Sequence, residues 1–163
     1  MANNKLLALL NQGVTAWNRW RVENPKIELD LRGADLAGTD LHGANLFKAN
    51  LFKANLTRAD LSGANLLGAN LTEANLTGTD LSSANLSLAT LRNVNLRGAL
   101  LFRANLTGAN LRDADLRETL LVGTDLSGAN LLGATLERAE GLTMAQMNSV
   151  ITDKTTRLPD SLK

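Results

Sequence analysis

The sequence has no cysteine and no tyrosine, a single histidine, two prolines and only 3% aromatic residues in 163. Without cysteine there is no disulfide and no thiolate metal site, and such a composition fits a reducing compartment. The lone His42 leaves no histidine or cysteine ligand set for zinc. So few aromatics exclude a stacking platform for single-stranded nucleic acid. A net charge of +1 marks neither a polybasic nucleic-acid binder nor a polyacidic mimic. The apolar run near the start, LLALL at residues 6–10, is too short for a signal-peptide core or a membrane span. The expectation is a cytoplasmic, single-domain chain with no cofactor, no metal, and no nucleic-acid, membrane or small-molecule partner.

What the chain has instead is a cadence. Residues 47–56 read FKANLFKANL, and ADLSG, ANLLG, ANLTE and ANLTG follow in phase. From Leu31 to Leu136 every fifth residue is leucine, 22 in succession. Two residues before each leucine stands a small residue, 16 times alanine, with Thr39, Thr79, Thr119 and Thr124 among the exceptions. One residue before it, 18 of 22 are Asn or Asp; Thr90, Leu100, Leu120 and Thr135 are not. Two residues after it, 11 of 22 are glycine, which suits a turn needing positive φ at its third residue.

A period of five is neither helical nor a simple strand alternation. It holds one short extended piece and one turn. In the extended piece, residues two apart face the same way. The small residue and the leucine therefore point inward, and the Asn or Asp between them points out. Ordering five residues costs about 5–10 kcal/mol of backbone entropy, whereas one buried leucine returns roughly 1.5–3. A single repeat cannot stand alone; coils must share core contacts with their neighbours.

These A(D/N)LXX units, ADLSG, ANLTG and GANLLGANL among them, resemble the pentapeptide-repeat family over Leu31–Leu136. The resemblance implies an all-β solenoid, a right-handed quadrilateral β-helix of twenty residues per coil and about five and a half coils; period five alone also permits three or five sides. The pairs Leu100/Leu120, Phe102/Val122, Arg92/Arg112 and Arg97/Arg117 are all spaced by twenty. Segments like the WNRWRVENP before the first repeat occur in cyanobacterial relatives. Some members mimic B-form DNA and bind type II topoisomerases, which makes a DNA-mimicking topoisomerase modulator the alternative function. Against it, residues 31–136 hold nine acidic and nine basic side chains, and no loop interrupts the frame.

Both flanks read as end caps against edge-to-edge association. Residues 1–28 hold a helix expected from Asn4 to Glu23, with Gly13 inside it and Pro25 beyond it. Trp17 and Trp20 are expected to anchor that helix on the first coil. The repeat spans 29–140. In 141–163, Thr143 and Gln146 spell a capping box and Leu142 with Met147 a hydrophobic staple. A short helix at about Met144–Val150 and an irregular tail are expected to cover the last coil.

No constellation for catalysis stands out. His42 falls at an outward corner, and a leucine-filled coil offers no pocket for a triad. Asp40, Asp60 and Asp80 stack at twenty-residue spacing, a file open to a cation but more simply read as Asp standing in for Asn at the corners. Thr57 and Thr77 stack too, but Arg97 ends that file, so it is too short an array for ice. Arg92, Arg97, Arg112 and Arg117 have Asp113, Asp115 and Glu118 nearby, a balanced surface. The informative residues are outward and apolar. Leu100, Phe102, Leu120 and Val122 fall on one side of adjacent coils and form a candidate surface for a protein partner or self-association. Phe47, Phe52, Leu67 and Leu88 make a weaker candidate. The function expected is a non-catalytic interaction module.

Overall fold

In the computed structural model, which describes residues 3–162, every pentapeptide folds alike. Each leucine carbonyl accepts the amide three residues on, as in Leu86 O from Ala89 N at 3.0 Å, closing a β-turn. The third turn residue has φ between 53° and 70° at all 22 positions, Gly33 through Arg138. Eleven of these are glycine; the other eleven, Lys53 and Ser83 among them, accept a left-handed backbone that costs an L-residue about 1–2 kcal/mol. The turn is therefore imposed by the coil and not merely permitted by glycine.

Turns this frequent leave one residue per pentapeptide to pair, so the sides carry isolated parallel bridges in place of long strands. The bridges join residues twenty apart, from Asp30 with Asn50 up to Leu120 with Glu140. This supplies the number that the period alone leaves open: four pentapeptides per turn of the ladder. Three backbone bonds recur at each step, for example Leu36 N to Asn55 O (2.7 Å), Gly38 N to Thr57 O (2.9 Å) and Asn55 N to Ala34 O (2.8 Å).

The 22 leucines are all at most 3% exposed, and the alanines two residues before them are buried beside them. Three of the threonines that replace alanine, Thr79, Thr119 and Thr124, are buried as well. Each satisfies its hydroxyl by donating to a leucine carbonyl at 2.7 Å. The outward residue before each leucine has its own task. All eighteen Asn and Asp side chains in that slot accept the amide two residues on, as Asn85 Oδ1 does from Ser87 N at 3.1 Å and Asp80 Oδ1 from Ser82 N at 2.8 Å. Only the side-chain carbonyl oxygen is used, which is why Asn and Asp interchange.

At the amino end the expected single helix is two: α1, Asn4–Leu10, and α2, Val14–Glu23. Gly13 separates them with φ 97°, a conformation no helix interior contains, so it is the N-cap of α2 and not an interior defect. Leu6, Leu10 and Trp17 join the buried cluster of the coils. Trp17 is fully buried, Trp20 half-buried, and their rings lie 5.6 Å apart. Trp17 Nε1 donates to Asn45 O (2.9 Å), and Asn18 Oδ1 accepts from Asn45 N (2.8 Å). On that side, two side chains of α2 thus supply the donor and acceptor that a preceding coil would have offered.

At the carboxyl end α3 is shorter than expected, Met144–Met147, though its Thr143–Gln146 capping box is formed. Gln146 Nε2 also donates to Leu121 O and Thr124 O, tying α3 to the last coil. The tail is not irregular. Ile151 bridges to Asn130 and Arg157 to Thr135, so two more sides are laid down after the pentapeptide frame has ended. Their spacings of 21 and 22 residues hide them from a search at period five.

Candidate interaction surface

The side built on Leu41, Leu61, Leu81, Leu101 and Leu121 differs from the others. Its outward file before the leucines is one unbroken run of bridges: Asp40, Asp60, Asp80, Leu100, Leu120, Glu140. The parallel file after the leucines is His42, Ser62, Ser82, Phe102, Val122. Leu100 and Leu120 thus sit one coil apart, about 4.8 Å, with Phe102 and Val122 beside them. Leu100 is 42% exposed, Phe102 37% and Val122 42%, while Leu120 is half-buried between its neighbours. The four residues singled out by spacing are brought together. Arg103, at the adjoining corner, lays its guanidinium 5.0 Å from the centre of the Phe102 ring.

Leucine in this slot carries a cost. It cannot accept the amide two residues on, so Phe102 and Val122 lack the turn bond that all eighteen Asn and Asp residues provide. A hydrogen bond of that kind contributes about 0.5–1.5 kcal/mol. The sequence therefore places apolar side chains where the fold favours polar ones.

The weaker group is less coherent. Phe47 and Leu67 share a file and are half-buried; Leu88, 67% exposed, lies in the neighbouring corner file one coil on. Phe52 belongs to the next side, so the four do not make one patch. Lys48 and Lys53 each sit over their own phenylalanine at 5.2 and 5.1 Å, which further covers the rings. Spacing by twenty had no term for the corner between Phe47 and Phe52. Val22, Ile27, Met144 and Ile151 are exposed too, in or beside the end elements, where no sequence period reports orientation.

Of Arg92, Arg97, Arg112 and Arg117, the last three form ion pairs with the nearby acids, and Arg92 forms none among the described residues. Arg97 holds Glu118 at 2.8 Å, Arg117 holds Asp115 at 2.6 Å, and Arg112 meets Asp113 at 3.3 Å. The Arg117 guanidinium lowers the Asp115 carboxyl, and Arg97 lowers Glu118. Asp30, gripped by Arg32 at 2.6 Å, is lowered to about 2. On the Leu41 side, by contrast, none of Asp40, Asp60, Asp80 or Glu140 takes part in an ion pair among the described residues. Asp60 is lowered by hydrogen bonds from the Ser62 hydroxyl and amide.

His42 is exposed and its Nδ1 lies 2.8 Å from Ser62 Oγ, which in turn donates to Asp60 at 2.5 Å. The serine stands between acid and imidazole, so the histidine has no carboxylate orienting it as a base; the order is wrong for a triad. Among the described residues no group of three His, Cys, Asp or Glu is placed to hold a metal ion. No helix among them is long and apolar enough to cross a membrane. Clefts among the described residues include one at the amino end lined by Leu10, Asn11, Gly13, Leu36 and Asp40, and one between the ion pairs around Arg97 and Glu118.

The family model for pentapeptide repeats matches residues 27–63, 49–87, 82–117 and 104–140. Similar solved structures include HetL, a pentapeptide repeat protein involved in heterocyst differentiation regulation in the cyanobacterium Nostoc sp. strain PCC 7120. It is 30% identical over 79% of this chain and 74% of its own, with a TM-score of 0.35. Rfr23 of the cyanobacterium Cyanothece 51142 is 30% identical over 86% of this chain and 97% of its own, TM-score 0.34. QnrB1, a plasmid-mediated fluoroquinolone resistance protein, is 20% identical over 81% and 78%, TM-score 0.46, an identity too low to carry function. Among curated proteins none matches. With eight matched copies of the repeat, the chain belongs to the pentapeptide-repeat family.

Proposed function

We propose that the chain is a non-catalytic protein-interaction module. In this reading a right-handed quadrilateral β-helix of about five and a half coils, closed at both ends, presents its Leu41 side to a protein partner. The single observation that carries it is the exchange of Asn or Asp for leucine at 100 and 120, which gives up two turn bonds and exposes apolar surface. Contiguous exposed apolar residues mark contacts more often than scattered ones do. The test replaces Leu100 with Asp and Phe102 with Ser and compares what the two proteins retain from cells of the source organism. A partner bound by the parent and lost from the variant, with the circular dichroism and melting of the variant unchanged, supports the reading. Identical retention refutes it.

The topoisomerase reading has one observation in its favour, the unpaired carboxylates on the same side. Its difficulty is that Leu100 and Leu120 interrupt the run of carboxylates, and on the other sides most acids are paired with arginine or lysine. A gyrase supercoiling assay unchanged by excess protein disposes of it; inhibition or protection would displace the first reading.

A further inference from the structure

The neutral sum of charges conceals an uneven distribution. Of the acids in the coils, Asp30, Glu73, Asp113, Asp115, Glu118 and Glu137 all form ion pairs. Four of the remainder, Asp40, Asp60, Asp80 and Glu140, stand in the single file that also contains Leu100 and Leu120. The file places Asp80 one coil before Leu100 and Glu140 one coil after Leu120, so the apolar patch has a carboxylate at each end. In Asp40, Asp60 and Asp80 one oxygen accepts the turn amide. The other carboxylate oxygen has no partner among the described residues. These carboxylates face the same way as the patch, at intervals of about 4.8 Å.

Resting on the interaction reading above, we infer that the partner is a different protein whose docking segment carries an apolar centre flanked by basic residues, with the longer basic run toward the amino end of the coil. Charge complementarity selects this occupant. A second copy, packed side against side in the antiparallel sense, would bring Asp80 opposite Glu140 while leucine met leucine. Packed in the parallel sense, it would set Asp60 and Asp80 against their own equivalents. Either arrangement stacks like charges beside the apolar contact, which opposes association. A segment with lysine or arginine on both flanks meets the apolar patch and the carboxylates together. Arg103 does not neutralise the file, because it lies in the corner file, stacked on Phe102.

The test uses the full chain and a display library of random peptides, panned at low salt on three proteins: the parent, Leu100→Asn with Leu120→Asn, and Asp40→Asn with Asp60→Asn and Asp80→Asn. Asparagine is a residue the repeat itself uses in this slot, so the aspartate variant keeps the turn bonds at 40, 60 and 80 and the leucine variant gains those at 100 and 120. The parent is expected to enrich peptides with an apolar centre and basic flanks, and the leucine variant to enrich none of them. For a selected peptide, the aspartate variant should bind about tenfold more weakly, with most of its salt dependence gone. Enrichment that depends on the leucines but shows no basic bias overturns this inference and leaves the interaction reading standing. Enrichment indifferent to the leucines overturns both. Sedimentation showing a dimer that the leucine variant loses makes the second copy the occupant and overturns the inference.

Discussion

Replacing Leu100 and Leu120 together with asparagine separates a binding surface from a piece of structural packing. Leu100 is 42% exposed and Leu120 half-buried, so each keeps roughly half to two-thirds of a leucine's burial, about 1–2 kcal/mol. Asparagine forfeits that but restores the bond to the amide of Phe102 or Val122, worth about 0.5–1.5 kcal/mol. The two effects nearly offset at each site, and the double variant should lose about 1 kcal/mol in total, and at most about 3. Leu101→Ala, in the fully buried neighbour, is the internal standard, expected to cost about 2–5 kcal/mol. Urea unfolding followed by circular dichroism measures both. If the outward pair costs as much as the core leucine, the two side chains hold the coil together and the argument for an exposed recognition surface is wrong.

Three further outcomes follow from particular atoms. Gly98 has φ 67° and nothing within 4 Å of where a Cβ would stand, so Gly98→Ala should destabilise by about 1 kcal/mol from backbone conformation alone; Ser83→Gly at φ 57° should move in the opposite direction by a similar or smaller amount, and thermal melts of both check this. Asn18→Ala removes the acceptor of Asn45 N and the donor to Gly43 O, so hydrogen exchange of the Asn45 amide should accelerate while amides two coils further on keep their protection. The folded-state carboxyls of Asp30, Asp60, Asp115, Glu118, Asp125 and Asp153 are lowered by partners, Asp30 to about 2; their contribution is therefore complete above the ordinary carboxyl range near pH 4 and lost as pH falls through their lowered folded-state values. Stability measured from pH 7 downward should hold to about pH 4 and decline below it.

The coil was legible because its period is short and strict. A leucine every fifth residue, with alanine two before it, specifies which side chains face inward whatever the number of sides, and the eighteen Asn and Asp residues specify the turn. The ends were less legible. α1 and α2 read as one helix because apolar spacing does not report φ, and only the backbone at Gly13 shows the break. Ile151 and Arg157 were missed because the tail adds to the coil by backbone bonds, which any residue other than proline can make. Of the candidate surface, the Leu100–Val122 set followed from spacing, since residues twenty apart share a file. The scatter of Phe47, Phe52, Leu67 and Leu88 did not, because it depends on which corner intervenes. The charge polarity of the Leu41 side was also hidden, since a total of nine against nine does not say which acids have partners.

The most direct measurement of the central claim places a photoreactive phenylalanine analogue at Phe102, and separately at Thr72 and Arg97 on two other sides, in cells of the source organism. Irradiation should give one discrete protein adduct from position 102 and none from the other two. No adduct at 102, or the same adduct from all three positions, would contradict the assignment of this side as the docking surface.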